Sequence, residues 1–166
     1  MSMQHGTVPE RLAFGRIEDH RRDPVEIHLA PRPTTALVGR VLLAGIFVVS
    51  GLAKVMDPGG TAEHMAAAGI PAPHLLVWVA AAAELAGAAS LLGGFLARVG
   101  AFGLILFLVP TTLLFHDFWN YQGAAAVPQI ANFMKNLGLI GGLTLIIAHG
   151  PGRYSVDHLL RAPLQA

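Results

Sequence analysis

PHLLVWVAAAAELAGAASLLGGFLARVGAFGLILFLVPTTLLF, residues 73–115, decides the fold. Its only acidic or basic residues, histidine aside, are Glu84 and Arg98, and Gly93-Gly94 divides it into two apolar runs, 73–92 and 95–115. Each run is near the roughly 20 residues that a helix needs to cross the hydrocarbon of a bilayer. Neither alternates strictly, and both are too long for membrane strands. The pair therefore reads as two spanning helices joined by a tight hairpin.

Working outward, the same pattern recurs on either side. TALVGRVLLAGIFVVSGLAKV (35–55) precedes the pair and VPQIANFMKNLGLIGGLTLIIA (127–148) follows it. Breakers stand where spans should end. Asp57-Pro58-Gly59-Gly60 closes the first, and Pro71 with Pro73 opens the second. Pro128 suits the first turn of the fourth span, where its missing N–H costs nothing, and Gly150-Pro151-Gly152 ends that span. TAEHMAAAG (61–69) reads as a short interfacial helix between the first two spans. Pro110, inside the third, predicts a kink of the kind membranes tolerate when neighbours satisfy the freed carbonyl. The expected fold is all-α: a four-transmembrane-helix bundle over 34–150, a polar N-terminal arm over 1–33 and a tail over 151–166.

Composition supports this reading. Of 166 residues, 54 % are hydrophobic and only 13 % charged, about half the usual globular share. The net charge of +1, without a basic stripe, argues against a nucleic-acid partner. Cysteine is absent, so disulfides, thiolate metal sites and thiol exchange within this chain are excluded. The first 33 residues mix five arginines with acids and prolines and are too polar for a secretory signal.

Arg11, Arg16, Arg21, Arg22, Arg32, Arg40, Arg98, Arg153 and Arg161 fall on one side of the four spans, and Lys54 and Lys135 on the other. The positive-inside rule then puts both termini in the cytoplasm of a multi-pass protein of the inner or plasma membrane. Arg40 and Arg98, a few residues inside the spans, are expected to snorkel outward. Ala83-x-x-x-Gly87 and Gly138-x-x-x-Gly142 offer small residues for close helix contact in lipid.

The polar residues inside the apolar runs carry the functional information. Glu84 lies about 16 Å below the start of its span, near the midplane. An unpaired charge there costs at least about 2.5 kcal/mol, so Glu84 must be neutral or face a partner. Lys54 is about 6 Å and Lys135 about 10 Å below the outer end. Helical side chains lean toward their own N-terminus. Lys54 on an outward-running helix therefore leans down and Glu84 on an inward-running one leans up. Glu84 with Lys54 is the expected pair, and Lys135 is expected to reach the outer loop.

Gln129, Asn132 and Asn136 share one face of the fourth span beside Lys135, and should point to the interior or a wet cavity. Thr111 and Thr112 lead into His116-Asp117-Phe118-Trp119, with Trp119 suited to the headgroup belt. Asp57 is expected to cap the outer end of the first helix. These groups converge on the outer half of the membrane, either as buried glue between helices or as a pocket for a small polar or quinone-like molecule. Of the histidines at 64, 74, 116 and 149, His74 and His116 could supply the facing pair that haem b needs, but both sit at the membrane boundary, so haem is not expected. No helix carries a His/carboxylate set at metal-binding spacing, so no metal site is expected.

GRVLLAGIFVVSGLAKVMDPGGTAEHMAAAGIP (39–71), AAAELAG (81–87), LLGGFLARVGA (91–101), PTTLLFHDFW (110–119), NFMKNLGLIGGLTLI (132–146) and GPGRYSVD (150–157) together resemble the DoxX family of small four-helix membrane proteins. The family is named after a subunit of a quinone-linked oxidoreductase, and related proteins pass electrons from thiosulfate to a membrane quinone. Others are implicated in membrane oxidoreductase complexes that handle oxidative stress. The resemblance implies a subunit that needs oxidoreductase partners, with no intrinsic cofactor and a membrane quinone as the bound molecule.

Residues and resemblance combine into one expectation. Glu84, Lys54, Lys135 and His116 are the candidate catalytic groups, the lysines supplying positive charge and Glu84 or His116 moving protons. Asp57, Asp117, Trp119, Asn132 and Asn136 are the candidate ligand-binding residues around a quinone headgroup or small oxyanion. Two rivals stand beside it: a small-solute carrier, and a non-catalytic anchor or assembly subunit, in either case with the lipid bilayer and a second copy of the chain as further possible partners.

Overall fold

The computed structural model describes residues 33–161. The arm expected over 1–33 lies, but for Pro33, outside the described residues, as do the last five. All regular structure described is helical: α1 (Pro33–Met56), α2 (Pro58–Ala67), α3 (Pro73–Gly93), α4 (Ala97–Phe115), α5 (Ala126–His149) and α6 (Val156–Arg161), with two single 3-10 turns between α4 and α5. Helices α1, α3, α4 and α5 are long and apolar enough to span a membrane. They correspond to the four runs read from the sequence.

The four alternate in direction. Helix α1 packs chiefly on α3, α3 on α4, and α4 on α5, while α5 touches α1 only lightly. Short α2 lies against α3. Large apolar side chains cover the outside, with Leu42 72 % and Val49 70 % exposed. A water-soluble surface rarely carries so continuous an apolar coat, and lipid is its natural solvent.

The joint between α1 and α2 is a single residue. Asp57 is the N-cap of α2, its Oδ1 accepting from Gly60 N–H at 2.9 Å, and Pro58 occupies the first helical position. Asp57 serves both helices, its backbone N–H donating to Ala53 O at 3.0 Å at the end of α1 and its carboxylate capping α2, which starts three residues before the expected 61. Helix α4 continues through Pro110 without a break in its assigned span.

Close packing uses half of each small-residue motif. A methyl on Gly87 would overlap the side chain of Leu104, so α3 and α4 meet there. Ala83, its motif partner, is exposed. Gly142 faces Leu43, whereas Gly138 has open space around it. A contact the motifs did not mark is Gly51, whose missing side chain lets Leu85 and Glu84 of α3 approach α1.

Two apolar clusters fill the bundle. The larger joins Phe47, Leu91, Leu104, Leu108, Leu143 and Ile146 with small alanines. The smaller, beneath α2, joins Met65, Val77 and Ala80.

The opposite end corrects the reading of Arg40. This residue does not snorkel; it is 2 % exposed. Its Nη1 donates to Leu91 O at 2.9 Å and its Nη2 to Tyr154 O. The chain after α5 folds back over the α3–α4 hairpin, and Asp157 accepts from the backbone N–H groups of Leu96 and Ala97 at 2.8 and 3.0 Å. These are orphan donors at the start of α4. The docked segment and the end of α3 offer carbonyl partners to both terminal nitrogens of Arg40, leaving its Nε buried without a partner among the described residues. Arg98, by contrast, is exposed and donates to Ala148 O at 3.3 Å.

Candidate functional site

Glu84 is 4 % exposed, halfway along α3, and its carboxylate is fully engaged by α1. Lys54 Nζ stands 2.9 Å from Oε2, and Ser50 Oγ donates to Oε1 at 2.9 Å. Lys54 Nζ also donates to Ser50 Oγ at 2.9 Å. The three side chains form a closed triangle, possible because Ser50 and Lys54 are one turn apart on the same face of α1. This is the pairing that the opposed lean of the two side chains predicts.

The triangle borders a cavity of about 390 Å³ lined by α1, α2, α3, α4 and α5. That volume falls in the range of small-molecule pockets. Besides Ser50, Lys54 and Glu84, its polar lining comprises Thr61 and His64 of α2, Thr111 and His116 from α4 and its end, and Lys135 and Asn136 of α5. Ile46, Phe47, Phe107, Phe115 and Leu139 supply the apolar walls. The His64 ring stacks on Phe115 with centroids 5.1 Å apart.

Three further bonds hold the lining in place. Asn136 Nδ2 donates to Thr112 Oγ1 at 3.0 Å, tying α5 to α4 where both are buried. Thr112 Oγ1 in turn donates to Leu108 O at 2.6 Å. His116 Nδ1 lies 3.1 Å from Gln129 Oε1, which orients the imidazole at the cavity edge.

Lys135 does not reach the outer loop. It donates to Asn132 Oδ1 at 3.0 Å, one turn back on its own helix. That partner is neutral, so Lys135 is a cation at the cavity with no carboxylate bound to it among the described residues. It leans toward its helix start as expected, but Asn132 intercepts it before any loop residue.

Of the expected site residues, Lys54, Glu84, His116, Lys135 and Asn136 come together around the cavity. Asp57, Asp117, Trp119 and Asn132 do not line it. Asp57 is occupied as a helix cap. Asp117 accepts from Asn120 Nδ2 at 2.7 Å, and Trp119 packs edge-on against Phe118 and Phe133. Ser50, Thr61 and His64 were not among the expected site residues. The available signal for Ser50 was its position four residues before Lys54.

Comparison with known proteins agrees with this architecture. The DoxX family model matches residues 35–117, which include α1 to α4 with Lys54, Glu84 and His116. The chain is 34 % identical to the inner membrane protein YphA of Escherichia coli K12 over 128 residues, 77 % of this chain and 91 % of that protein. It is 37 % identical to the inner membrane protein YqjF of the same organism over 124 residues, 75 % of this chain and 90 % of that one. No solved structure gives a significant match. With four spans long and apolar enough for a bilayer, and a match that runs through all the helices bearing the ion pair, the chain is an integral membrane protein of the DoxX family.

Proposed function

We propose that this protein is the quinone-binding subunit of an inner-membrane oxidoreductase complex, with both termini in the cytoplasm and the cavity in the outer half of the membrane. The observation that carries the reading is the Lys54–Ser50–Glu84 triangle on the wall of a cavity that also has aromatic and aliphatic walls. A quinone headgroup is a flat apolar ring with two carbonyl acceptors, and it suits walls of Phe107 and Phe115 with donors at the rim. Lys135 and His116 can donate to such acceptors. Glu84 and Lys54, in contact with each other and with the cavity, can hold and pass protons. Reduction of a quinone to a quinol takes two electrons and two protons, and the electrons would come from a partner subunit.

A transport pathway fits less well. The large apolar cluster that includes Leu91, Leu104 and Leu143 fills the bundle beyond Phe47 of the cavity wall, and a polar route across the membrane would have to breach it.

The test is ligand-induced thermal stabilisation of the protein purified in mild detergent, using short-chain ubiquinone and menaquinone analogues and, separately, thiosulfate. A quinone should raise the unfolding midpoint, and Glu84→Gln or Lys135→Ala should abolish the rise. If no quinone shifts the midpoint of the wild-type protein, the reading fails.

A further inference from the structure

The end of the bundle opposite the ion pair carries a second cavity, of about 230 Å³, between the start of α4, the end of α5 and α6. Arg98, His149, Arg153, His158 and Arg161 line it, with Asp157 as the one carboxylate among the described residues there. Both Asp157 oxygens already accept backbone N–H groups, from Leu96 and Ala97. Arg153 and Arg161 are exposed and donate no hydrogen bond to any described residue. Three guanidiniums thus border a space whose one carboxylate among the described residues already accepts two backbone N–H groups. Bringing them together is unfavourable unless something negative joins them.

Position narrows what that is. Arg98 is the second residue of α4 and His149 the last of α5, so the cavity sits where spanning helices leave the hydrocarbon, at headgroup depth. Next to it, Leu159 and Leu160 of α6 are 71 % and 70 % exposed. A basic recess bordered by bare apolar side chains matches an anionic headgroup with acyl chains attached. Arginine is suited to the phosphate because its planar fork binds two oxygens at once.

We propose that this recess binds the phosphodiester of an anionic phospholipid, with Arg153 and Arg161 as its principal contacts and the acyl chains lying along α6. The site is separate from the cavity at Glu84 and does not depend on what that cavity holds.

The experiment titrates the full-length protein in mild detergent with phosphatidylglycerol, phosphatidylcholine or sodium phosphate and follows the unfolding midpoint. Native mass spectrometry counts retained lipid in parallel. Phosphatidylglycerol should raise the midpoint and be retained, while phosphatidylcholine and phosphate should do neither. R153Q/R161Q should weaken the phosphatidylglycerol response roughly twenty-five-fold, at about fivefold for each basic side chain lost near a lipid surface. Glu84→Gln should leave that response intact. Equal responses to phosphatidylcholine, or an undiminished response in R153Q/R161Q, would overturn the proposal. A shift produced by phosphate alone would also overturn it, assigning the recess to a free oxyanion. Should R153Q/R161Q fail to fold, competition between the two lipids for the wild-type protein decides: no preference in the mass spectra sinks the proposal.

Discussion

Arg40 on α1 donates through Nη1 to the carbonyl oxygen of Leu91, near the end of α3, at 2.9 Å. With its second bond, to Tyr154 O, one buried guanidinium ties the first span, the third helix and the returning C-terminal segment together. Charge-assisted hydrogen bonds are each worth about 1.5–3 kcal/mol. Arg40→Met should therefore lower the unfolding midpoint strongly and expose residues 150–161 to protease. Arg40→Lys should recover only part of the loss, because an ammonium cannot fork between two carbonyls on different elements. Scanning calorimetry and limited proteolysis in detergent measure both effects. Wild-type stability in Arg40→Met would show that the contact does not hold the segment.

Lys54 and Glu84 should behave as a coupled pair. Removing one partner of a buried ion pair strands the other, at about 3–5 kcal/mol. Lys54→Met and Glu84→Gln differ in this respect, since glutamine keeps a hydrogen bond to Ser50 and carries no charge. Glu84→Gln should be the milder change. The double variant K54M/E84Q should be more stable than Lys54→Met alone, because it removes the stranded carboxylate. A double-mutant cycle on unfolding midpoints measures the coupling, and strict additivity of the two single effects would refute it.

The four spans were legible because bilayer thickness sets their length and the Gly and Pro breakers mark their ends. The Lys54–Glu84 contact was legible for a different reason: antiparallel helices with opposed side-chain lean bring those two groups together whatever the loops do. Ser50 was not, because a serine in a helix can bond its own backbone, and which alternative it takes depends on how α1 is rotated against α3. Arg40 misled because an arginine near a span end fits the snorkelling rule. Its real partners come from residue 91 and residue 154, a docking that no local pattern announces. The small-residue motifs marked a face of α3 and α5, but only packing decides which position on that face meets a neighbour. Lys135 was placed correctly in direction and wrongly in reach, since Asn132 was available one turn closer.

Asp57 offers a way to separate capping from ligand binding. Its carboxylate accepts from Gly60 N–H and lies outside the cavity lining, so its role is to start α2. Asp57→Ala should cost about 1 kcal/mol of stability, and Asp57→Asn much less, because asparagine is an equally good N-cap. Neither should change the quinone-induced rise in midpoint beyond the lowered baseline. A lost quinone response in Asp57→Asn, with stability intact, would make Asp57 a ligand-binding residue after all.

Gly51 tests whether the triangle depends on the approach of α1 to α3. A Cβ there would stand 2.8 Å from Leu85 Cγ and 3.4 Å from Glu84 Cβ. The first distance is inside any real carbon contact, whereas the second is ordinary van der Waals contact, so Leu85 and not Glu84 must give way first. Overpacking of this kind costs about 1–3 kcal/mol when neighbours can shift. Leu85 is the far end of a flexible side chain and can yield for alanine, but a branched residue would push the helices apart. Gly51→Ala should therefore retain the ion pair with a small loss of stability, and Gly51→Val should separate Lys54 from Glu84. In a Gly51→Val background, Glu84→Gln should no longer cost what it costs in the wild type, since the partner is already out of reach. Unfolding midpoints of the four proteins read this out. If Glu84→Gln is equally damaging in both backgrounds, the helix approach at Gly51 is not what holds the pair together.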